Sequence, residues 1–313
     1  LGSPDLLAGP PVRRDRRRVR GVGTRGPGST EAGGHRTGGC AIIAAGGQDA
    51  PIGIFDSGVG GLTVARAIID LLPDEDIVYI GDTANGPYGP LTIPEIRRHA
   101  LAIGDDLAER GVKAIVIACN TASTLVLPQL RARFQVPFVG TVPAIKPACA
   151  GSKTKLVSVL GTEATVSREY TRALIRDFAQ GCAVTLVGSQ RLAELAEAAL
   201  TGEPVSDDAI AAELAPCFAE ADGARTDTVV LACTHYPLLL DRLQKLAPWP
   251  VNFIDPAPAI ARRVTDLLGP ADGGGAKATG RAVFSSGRGP GPGLGAALAR
   301  FGLETGVPAG AGV

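Results

Sequence analysis

Residues 113–121 read KAIVIACNT, and residues 227–235, which lie 114 positions further along the chain, read DTVVLACTH. Each segment is an apolar run of strand length that ends in Ala-Cys and is followed by two polar residues. Uninterrupted apolar strands of this kind are typical of parallel sheets covered by helices on both faces. The two segments therefore predict two similar α/β halves, each of which places one cysteine at the carboxyl end of a strand.

Strands and helices alternate along the chain from residue 51 onward. Their pattern predicts the α/β class: two pseudo-symmetric, doubly wound parallel-sheet domains with the active site in the cleft between them. Ligands bind at the carboxyl ends of the strands in such sheets, where both cysteines are expected. Further strands are predicted at 51–55, 77–80, 156–160, 184–187 and 281–285, and helices at 64–72, 95–110, 165–178, 191–200 and 294–301.

The composition argues against several classes of protein. The chain has 313 residues with 31 basic and 31 acidic side chains, so it lacks the positive charge typical of nucleic-acid-binding proteins. No apolar run reaches the length of about 18–20 residues that a transmembrane helix needs. The six cysteines form no CxxC pair and no signal peptide is apparent, which favours free thiols and a cytoplasmic location.

Residues 1–50 differ from the rest of the chain. They carry eight Arg, no Lys and four acidic residues, a formal charge of +4 that the remainder of the chain cancels. They are rich in Gly and Pro without a periodic apolar pattern, so we expect a disordered or misassigned N-terminal extension. A basic arm for an anionic partner such as nucleic acid is the alternative.

The paired cysteines suit a reaction that inverts a stereocentre. One group removes a proton from a carbon and a second group returns a proton to the opposite face, so two acid–base groups must face each other. A thiol has an ordinary pKa of about 8.5 and can take either role once its environment is tuned. His235 follows Cys233 by two residues and can favour a thiolate there, whereas Asp56 ends the first strand and can act on Cys119.

Other interpretations of these residues remain open on spacing alone. One Cys with a His also suits nucleophilic catalysis, although the second cysteine then has no role. The separation of the two cysteines is unlike the CxxC of a redox pair. Gly58, Gly60 and Gly61 do not complete the G-x-G-x-x-G of a nucleotide site, because residue 63 is Thr. Asp56 can equally be the cap of the turn that comes after it.

Five short segments stand in order along the chain: FDSGVGGLT at 55–63, PYG at 87–89, ACNTA at 118–122, LGT at 160–162 and CTHYPL at 233–238. Together they resemble the motifs of the bacterial glutamate racemase family. The resemblance implies interconversion of L- and D-glutamate without a cofactor or metal, with D-glutamate supplied to peptidoglycan synthesis. Aspartate or hydantoin racemase of the same two-thiol class is an alternative, and so is a catalytically degenerate amino-acid-binding protein.

The resemblance also implies a role for each site residue. Cys119 would exchange the proton of D-glutamate, and Cys233 that of L-glutamate. Asp56 would assist Cys119, whereas His235 and Glu197 would assist Cys233. The ammonium and the two carboxylates of glutamate would be held by Asp56, Ser57, Tyr88, Gly89, Asn120, Thr121, Thr234 and His235.

The chain departs from the family pattern at a few positions. Ser189-Gln190 replaces the usual Cys-Pro that precedes Glu197, which weakens that match. Leu91 stands where many members have Lys, and Asn85-Gly86 replaces bulkier residues before the PYG segment.

The resemblance implies a discontinuous first domain, because the C-terminal segment returns to it. We expect residues 51–146 plus 255–313 to form the first α/β domain and residues 147–254 to form the second. A homodimer is left open as an assembly, and neither a membrane nor a nucleic acid is expected as a partner.

Overall fold

The computed structural model describes residues 46–270 and 278–306. The extension expected at 1–50 therefore lies, as far as residue 45, outside the described residues. Within the described ranges the chain forms two separate parallel sheets and one short antiparallel ribbon. The expected α/β class with two parallel-sheet halves is confirmed.

The first sheet has six strands that all run parallel. Helices cover it on both faces, with α1, α10 and α11 on one side and α2 and α3 on the other. In spatial order the strands are β12 (Glu304–Thr305), β11 (Gly280–Phe284), β2 (Ile77–Gly81), β1 (Ile52–Asp56), β3 (Ala114–Ile117) and β4 (Phe138–Gly140). The helices are α1 (Leu62–Leu71), α2 (Ile93–Glu109), α3 (Asn120–Arg133), α10 (Ala257–Leu268) and α11 (Pro292–Arg300).

The second sheet has four parallel strands. Its two faces pack against α7, α8 and α9 on one side and α4 and α6 on the other. The strands, in spatial order, are β10 (Asn252–Ile254), β9 (Thr228–Ala232), β5 (Leu156–Thr162) and β6 (Ala183–Ser189), and the ribbon is β7 (Glu220–Ala221) with β8 (Ala224–Arg225). The helices are α4 (Ile145–Gly151), α5 (Glu163–Val166), α6 (Glu169–Phe178), α7 (Leu192–Thr201), α8 (Asp207–Leu214) and α9 (Leu240–Leu246), with 3-10 turns at Ala215–Cys217 and Tyr236–Leu239.

The two cysteine strands occupy matching places in the two sheets. Every residue of β3 and of β9 is buried, as expected for strands covered on both faces. Side chains alternate between faces, so Cys119 shares a core cluster with Ile117 two residues earlier, and Cys233 shares one with Leu231. The similarity of the two sequence segments therefore extends to the direction in which each thiol points.

One predicted helix is divided in two. Residues 165–178 belong to α5 and α6, which are separated because Arg168 takes an extended conformation (φ −70°, ψ 140°). Thr162 caps α5, because its hydroxyl accepts a hydrogen bond from the Thr165 N–H at 3.2 Å. The division leaves Thr162 and Thr165 at the carboxyl edge of the second sheet.

Thr63 does not cap α1. The helix begins one residue before it, at Leu62, and the cap position is taken by Gly61, which has no side chain to donate or accept. The Thr63 hydroxyl instead donates to the Gly60 carbonyl at 3.2 Å. The glycine turn at 58–61 is thereby continuous with the first turn of α1.

No helix within residues 46–270 and 278–306 is both long and apolar enough to cross a membrane.

The C-terminal part of the chain returns to the first sheet. After β10 completes the second sheet, α10 leads back to the first sheet, and β11 pairs there with β2.

Asp227 ties the start of the second sheet to the turn before β5. Its carboxylate accepts hydrogen bonds from the Ser152 hydroxyl at 2.7 Å, the Lys153 N–H at 2.7 Å and the Thr154 N–H at 3.0 Å. Burial alone would raise the pKa of Asp227, but the hydrogen bonds, from Ser152 first, lower it to about 2. The ionised form is therefore the one that stabilises the fold.

We predict that Asp227→Asn lowers the free energy of unfolding by about 1–3 kcal/mol at pH 7, because donors then face an amide. The folded pKa lies below the ordinary value of 3.8, so the stabilisation is present above about pH 4 and is lost as the pH falls toward 2. Urea unfolding of both proteins between pH 7 and 2 measures the difference. Asp222→Asn, in the exposed β7–β8 turn, is the matched control. A difference that does not shrink at low pH would contradict the assignment.

Candidate active site

Both cysteines lie where their strands end. Cys119 comes two residues after β3 and forms the N-cap of α3, where its Sγ accepts a hydrogen bond from the Ala122 N–H at 3.4 Å. Cys233 comes directly after β9. Both thiols are almost completely buried, with 5% and 7% exposure. Each sulfur is therefore held at a fixed place by the strand before it.

The carboxyl edges of the two sheets meet, and the cysteines lie at that junction. The Thr234 hydroxyl, from the second sheet, donates to Asp56 Oδ1 of β1 at 3.4 Å. Thr121, at the start of α3, lies 3.3 Å from the Thr165 hydroxyl of α5. The predicted cleft between the two halves is thus the place that brings the site residues together.

On the second side of the cleft, Cys233, His235 and Glu197 form a chain. Cys233 Sγ lies 3.7 Å from Nδ1 of His235, and Nε2 of the same ring lies 2.7 Å from Glu197 Oε1. Burial lowers the pKa of His235, but its hydrogen bonds to Cys233 and Glu197, together with nearby negative charge, outweigh burial and raise the pKa well above the usual 6.5. The imidazolium form therefore stands against the Cys233 sulfur, where it stabilises negative charge.

The glycine turn after β1 makes room for this chain. A Cβ on Gly60 would lie 2.5 Å from His235 Nδ1 and 2.7 Å from the His235 backbone nitrogen. A Cβ on Gly58 would lie 2.9 Å from Glu197 Oε1. The turn belongs to the first sheet and the Cys233–His235–Glu197 chain to the second, so glycine is required at this close contact between the two halves.

On the first side of the cleft, Cys119 faces a carboxylate instead of an imidazolium. Burial and the charge of Asp56 raise the pKa of the Cys119 thiol to about 12, although hydrogen bonds from Ser57 and Ala122 oppose the shift. A negative charge on Cys233 acts in the same direction. Cys119 is therefore a thiol near neutral pH.

Asp56 is fully buried between the two halves. Its Oδ2 accepts a hydrogen bond from the Gly58 N–H at 3.0 Å and lies 3.5 Å from the Tyr79 hydroxyl, which itself donates to the Gly58 carbonyl at 2.9 Å. Burial raises the pKa of Asp56, and the positive charge of His235 opposes that shift. The Asp56 carboxyl therefore has both of the positions considered from sequence. It caps the turn that comes after it, and it lies next to the Cys119 thiol.

Asn120 offers polar atoms that the protein itself leaves unused. Its side chain is 3% exposed, and within the described part of the chain neither its Oδ1 nor its Nδ2 has a hydrogen-bond partner. A buried amide without partners is rare and points to a polar group that is supplied from outside. Asn120 therefore fits the binding role expected from the resemblance.

Tyr88 and Gly89, which the resemblance places among the substrate-binding residues, lie in the loop after β2. The Tyr88 hydroxyl donates to Asp82 Oδ2 at 2.5 Å, and the residue is 1% exposed. Gly89 has nothing within 4 Å of the place a Cβ would occupy. Any contact of these two residues with a ligand would therefore come from the backbone.

Sequence reasoning missed three residues that the fold adds to the site. Tyr79 supports the Asp56 turn, Thr165 contacts Thr121 across the cleft, and Asp82 binds Tyr88. One signal was available for Asp82 and Thr165, because both come after predicted strands at the edge where ligands bind. No sequence signal marks Tyr79, whose hydroxyl reaches the turn only through strand pairing.

A metal centre finds no support in residues 46–270 and 278–306, because no three or more His, Cys, Asp or Glu side chains are arranged to hold an ion there. The acid–base groups of the site are the two thiols, the Asp56 carboxyl and the His235–Glu197 pair. The cleft therefore receives acid–base side chains from both halves of the molecule.

Comparison with known proteins matches residues 53–264 to the family described as Asp/Glu/Hydantoin racemase. A protein named glutamate racemase from Mesorhizobium japonicum is 56% identical over 245 residues, which is 77% of this chain and 93% of the relative. One of the same name from Sinorhizobium medicae is 51% identical over 242 residues, which is 76% of this chain and 89% of the relative.

Solved structures of glutamate racemases are also similar to this chain. The crystal structure of Escherichia coli glutamate racemase, in complex with L-glutamate and the activator UDP-MurNAc-Ala, is 41% identical with a TM-score of 0.73 and covers 82% of this chain and 97% of its own. The structure from Thermus thermophilus, in complex with β-chloro-D-alanine, is 32% identical with a TM-score of 0.64 and covers 83% and 96%.

We predict that Glu197→Gln lowers the pKa of His235, because the imidazolium loses its charged partner. With three His in the chain, an NMR titration resolves this ring. The pKa of His235 is higher in the folded than in the unfolded protein. Protonation of this ring therefore stabilises the fold fully below about pH 6.5, and the stabilisation is lost as the pH rises through the folded-state pKa. The variant should therefore lose about 1–2 kcal/mol of unfolding free energy at pH 6 and progressively less at alkaline pH.

Glu194→Gln is the matched control, because this exposed Glu lies one turn earlier on the same helix. It should leave the His235 titration where it is in the wild type. An unchanged His235 pKa in Glu197→Gln would show that the 2.7 Å contact does not control the charge of the ring.

Proposed function

The chain belongs to the Asp/Glu/Hydantoin racemase family and is an isomerase, and we propose that it interconverts L- and D-glutamate by proton transfer between Cys119 and Cys233. The family match covers 212 residues, from 53 to 264, and thus both cysteine strands. Relatives named glutamate racemase at 56% and 51% identity support glutamate as the substrate.

One observation carries the proposal: two buried thiols at matching strand ends have opposite electrostatic partners. Cys119 faces the Asp56 carboxyl and Cys233 faces the His235 imidazolium. A reaction that must remove a proton from one face and add one to the other needs a base and an acid at the same time. The asymmetric surroundings give the two cysteines different neighbours, with a protonated thiol at Cys119 and an imidazolium beside Cys233.

In the direction from L- to D-glutamate, the Cys233 thiolate takes the Cα proton. The electron pair of the broken C–H bond stays on a planar carbon next to the carboxylate. The Cys119 thiol then gives its proton to the opposite face, which leaves a thiolate at Cys119 and a thiol at Cys233. The reverse direction exchanges the two roles, and solvent protons restore the starting form after product leaves.

The partners of each thiol lower the cost of these steps. The His235 imidazolium balances the charge on Cys233, and Glu197 holds the ring in that orientation. Asp56 raises the pKa of Cys119 before the reaction and stands beside it when the proton must be taken back. Burial excludes water, so these charges act in a medium of low dielectric constant.

The substrate is held by hydrogen-bonding groups that surround the thiols. Asn120 has donor and acceptor atoms without protein partners, the Thr121 and Thr234 hydroxyls make contacts between the two halves, and Ser57 hydrogen-bonds Cys119. The backbones of Tyr88 and Gly89 would complete the set. Both carboxylates and the ammonium of glutamate can therefore be bound without a metal or cofactor.

The cellular setting is inferred from the chemistry. Acid–base catalysis by thiols requires that they stay reduced, so we place the enzyme in the cytoplasm, where thiols are kept reduced. Its product, D-glutamate, would supply peptidoglycan synthesis. The homodimer left open from sequence and the domain boundaries at 146–147 and 254–255 stay predictions.

We predict that the purified protein converts L-glutamate to D-glutamate in D₂O with no cofactor added, and that the product carries deuterium at Cα. Each of Cys119→Ala and Cys233→Ala should lower kcat at least 10³-fold, because each removes the acid or the base of a single proton transfer. Chiral chromatography with mass spectrometry measures both results.

Cys182→Ala is the control variant, since this half-buried cysteine lies outside the cleft, at the start of β6. It should racemise glutamate at the wild-type rate. Turnover that persists in either cleft variant would refute the two-thiol mechanism. Preference for aspartate or a hydantoin in a substrate panel would reassign the substrate, and calorimetric binding of glutamate without turnover would indicate a degenerate binding protein.

A further inference from the structure

Asp82 is a buried acid next to the cleft to which sequence analysis gave no role. It comes directly after β2, whose last residue Gly81 pairs with Asp56 of β1. The Asp82 N–H donates to the Asp56 carbonyl at 2.9 Å, and the side chain is 1% exposed. Asp82 therefore occupies the same carboxyl edge as the site residues, one strand further out.

The carboxylate of Asp82 collects three hydrogen bonds. Tyr88 donates to Oδ2 at 2.5 Å, while the Asn85 amide at 2.9 Å and the Ser285 hydroxyl at 2.5 Å donate to Oδ1. Ser285 in turn accepts a hydrogen bond from the Ala84 N–H at 3.0 Å. A buried carboxylate with this many donors holds them firmly, since hydrogen bonds to an ion are stronger than those between neutral groups.

These bonds join two parts of the chain that are about 200 residues apart. Residues 82–90 form the loop that contains Tyr88 and Gly89, and we call it the Asp82 loop. Ser285 comes directly after β11, the strand that returns from the second sheet. A second contact, from the Thr83 hydroxyl to the Ser286 hydroxyl at 3.0 Å, lies beside it. The returning strand thus fixes a loop of the substrate cleft.

The Asp82 loop lies against the catalytic turn. A Cβ on Gly86 would be 2.0 Å from the Ser57 carbonyl oxygen, so the backbones of loop and turn are in direct contact. The Tyr88 ring lies 6.1 Å from Phe55, and the charges of Cys119 and Asp56 act on its hydroxyl. A displacement of the loop would therefore change the shape of the cleft beside Cys119.

Packing alone does not hold the Asp82 loop in place. Thr83, Ala84 and Pro87 are exposed, and Tyr88 is its one fully buried side chain beyond Asp82. Behind the loop lies a cavity of about 240 Å³, whose walls include Asp82, Asn85 and Ser285. With open space on one side and solvent on the other, the loop depends on its hydrogen bonds to Asp82 and Ser286 as well as on the burial of Tyr88.

The loop carries backbone donors that no protein group uses. Within the described part of the chain, neither the Tyr88 N–H nor the Gly89 N–H donates to another protein group. Two successive backbone N–H groups without protein partners are available to donate to an anion such as a carboxylate. Because the Tyr88 hydroxyl is engaged by Asp82, these N–H groups are what the residue can offer to a ligand.

We propose that Asp82 and Ser285 are positioning residues, which hold the Tyr88-Gly89 backbone in the place where it binds a carboxylate of the amino-acid substrate. The proposal rests on the proposed function in that it takes the cleft ligand to be an amino acid. It adds the returning C-terminal strand to the substrate site, through a hydrogen bond that leaves the acid–base groups untouched.

The test uses Ser285→Ala and Ser285→Thr in the full chain. Loss of the hydroxyl should raise KM for L-glutamate at least fivefold with kcat within twofold, because binding weakens while the thiols keep their places. Thr keeps the hydroxyl at an exposed position and should restore a KM within twofold of wild type. Asp82→Asn should raise KM further, because it removes the charge that all three donors share.

Ser206→Ala separates positioning from general loss of stability. This serine caps α8 through a hydrogen bond from the Asp208 N–H at 3.2 Å, in the second sheet and away from the Asp82 loop. Its variant should lower Tm by a few degrees without a change in KM. A wild-type KM in Ser285→Ala and Asp82→Asn, or an equal rise in Ser206→Ala, would overturn the proposal.

Amide hydrogen exchange of the substrate-free protein tests the restraint without relying on activity. Ser285→Ala should speed exchange in peptides that cover residues 83–91 about tenfold and leave peptides from β3 unchanged. Equal exchange in both proteins would refute the restraint even if KM moved. A wild type that does not racemise glutamate would instead refute the proposed function, while the exchange result would still decide whether Ser285 fixes the loop.

Discussion

The carboxyl group of Asp56 is the constraint around which the rest of the site is arranged. It is fully buried, and an isolated charge in that position would be very costly unless it is paired or hydrogen-bonded. The fold meets this requirement from both sheets: Gly58 and Tyr79 come from its own side, whereas Thr234 and the charge of His235 come from the other. The buried Asp56 carboxylate is therefore stabilised by groups from both halves, at the same junction where a ligand can bind.

The two cysteine strands, β3 and β9, end at this junction in the same way, but the groups that surround their cysteines differ. Side chains alternate between the two faces in the same way along β3 and β9, so the two thiols point in corresponding directions from their sheets. The segments after the two strands differ, because Cys119 begins a helix beside Asp56, whereas Cys233 begins a turn that carries His235. The backbone thus places the two cysteines at equivalent strand ends, whereas their neighbours differ: a buried carboxyl lies beside Cys119 and an imidazolium lies beside Cys233.

The amino-acid sequence alone predicts those features of the site that depend on a local pattern of residues. The largely apolar runs at 114–118 and 228–232 predict buried parallel strands, and the ends of these strands predict where Cys119 and Cys233 lie. The contact between His235 and Glu197 was expected from family resemblance alone, because 38 residues separate them and strand register decides whether they meet. Pattern could not reveal the break at Arg168 or the commitment of the Tyr88 hydroxyl to Asp82, since both result from capping and tertiary packing.

The burial of the site has a consequence for how a ligand enters. Cys119, Asp56 and Cys233 are each at most 7% exposed, so glutamate can reach them only if the two edges separate. The hydrogen bonds that cross the cleft are long, 3.4 Å from Thr234 to Asp56 and 3.3 Å from Thr121 to Thr165, and long bonds cost little to break. The short contact between His235 and Glu197 lies within the second half, and the contact between Cys119 and its Asp56–Ser57 turn lies within the first. Each thiol therefore shares a half of the molecule with its own electrostatic partner, and the burial that surrounds both sulfurs strengthens the effect of those partners.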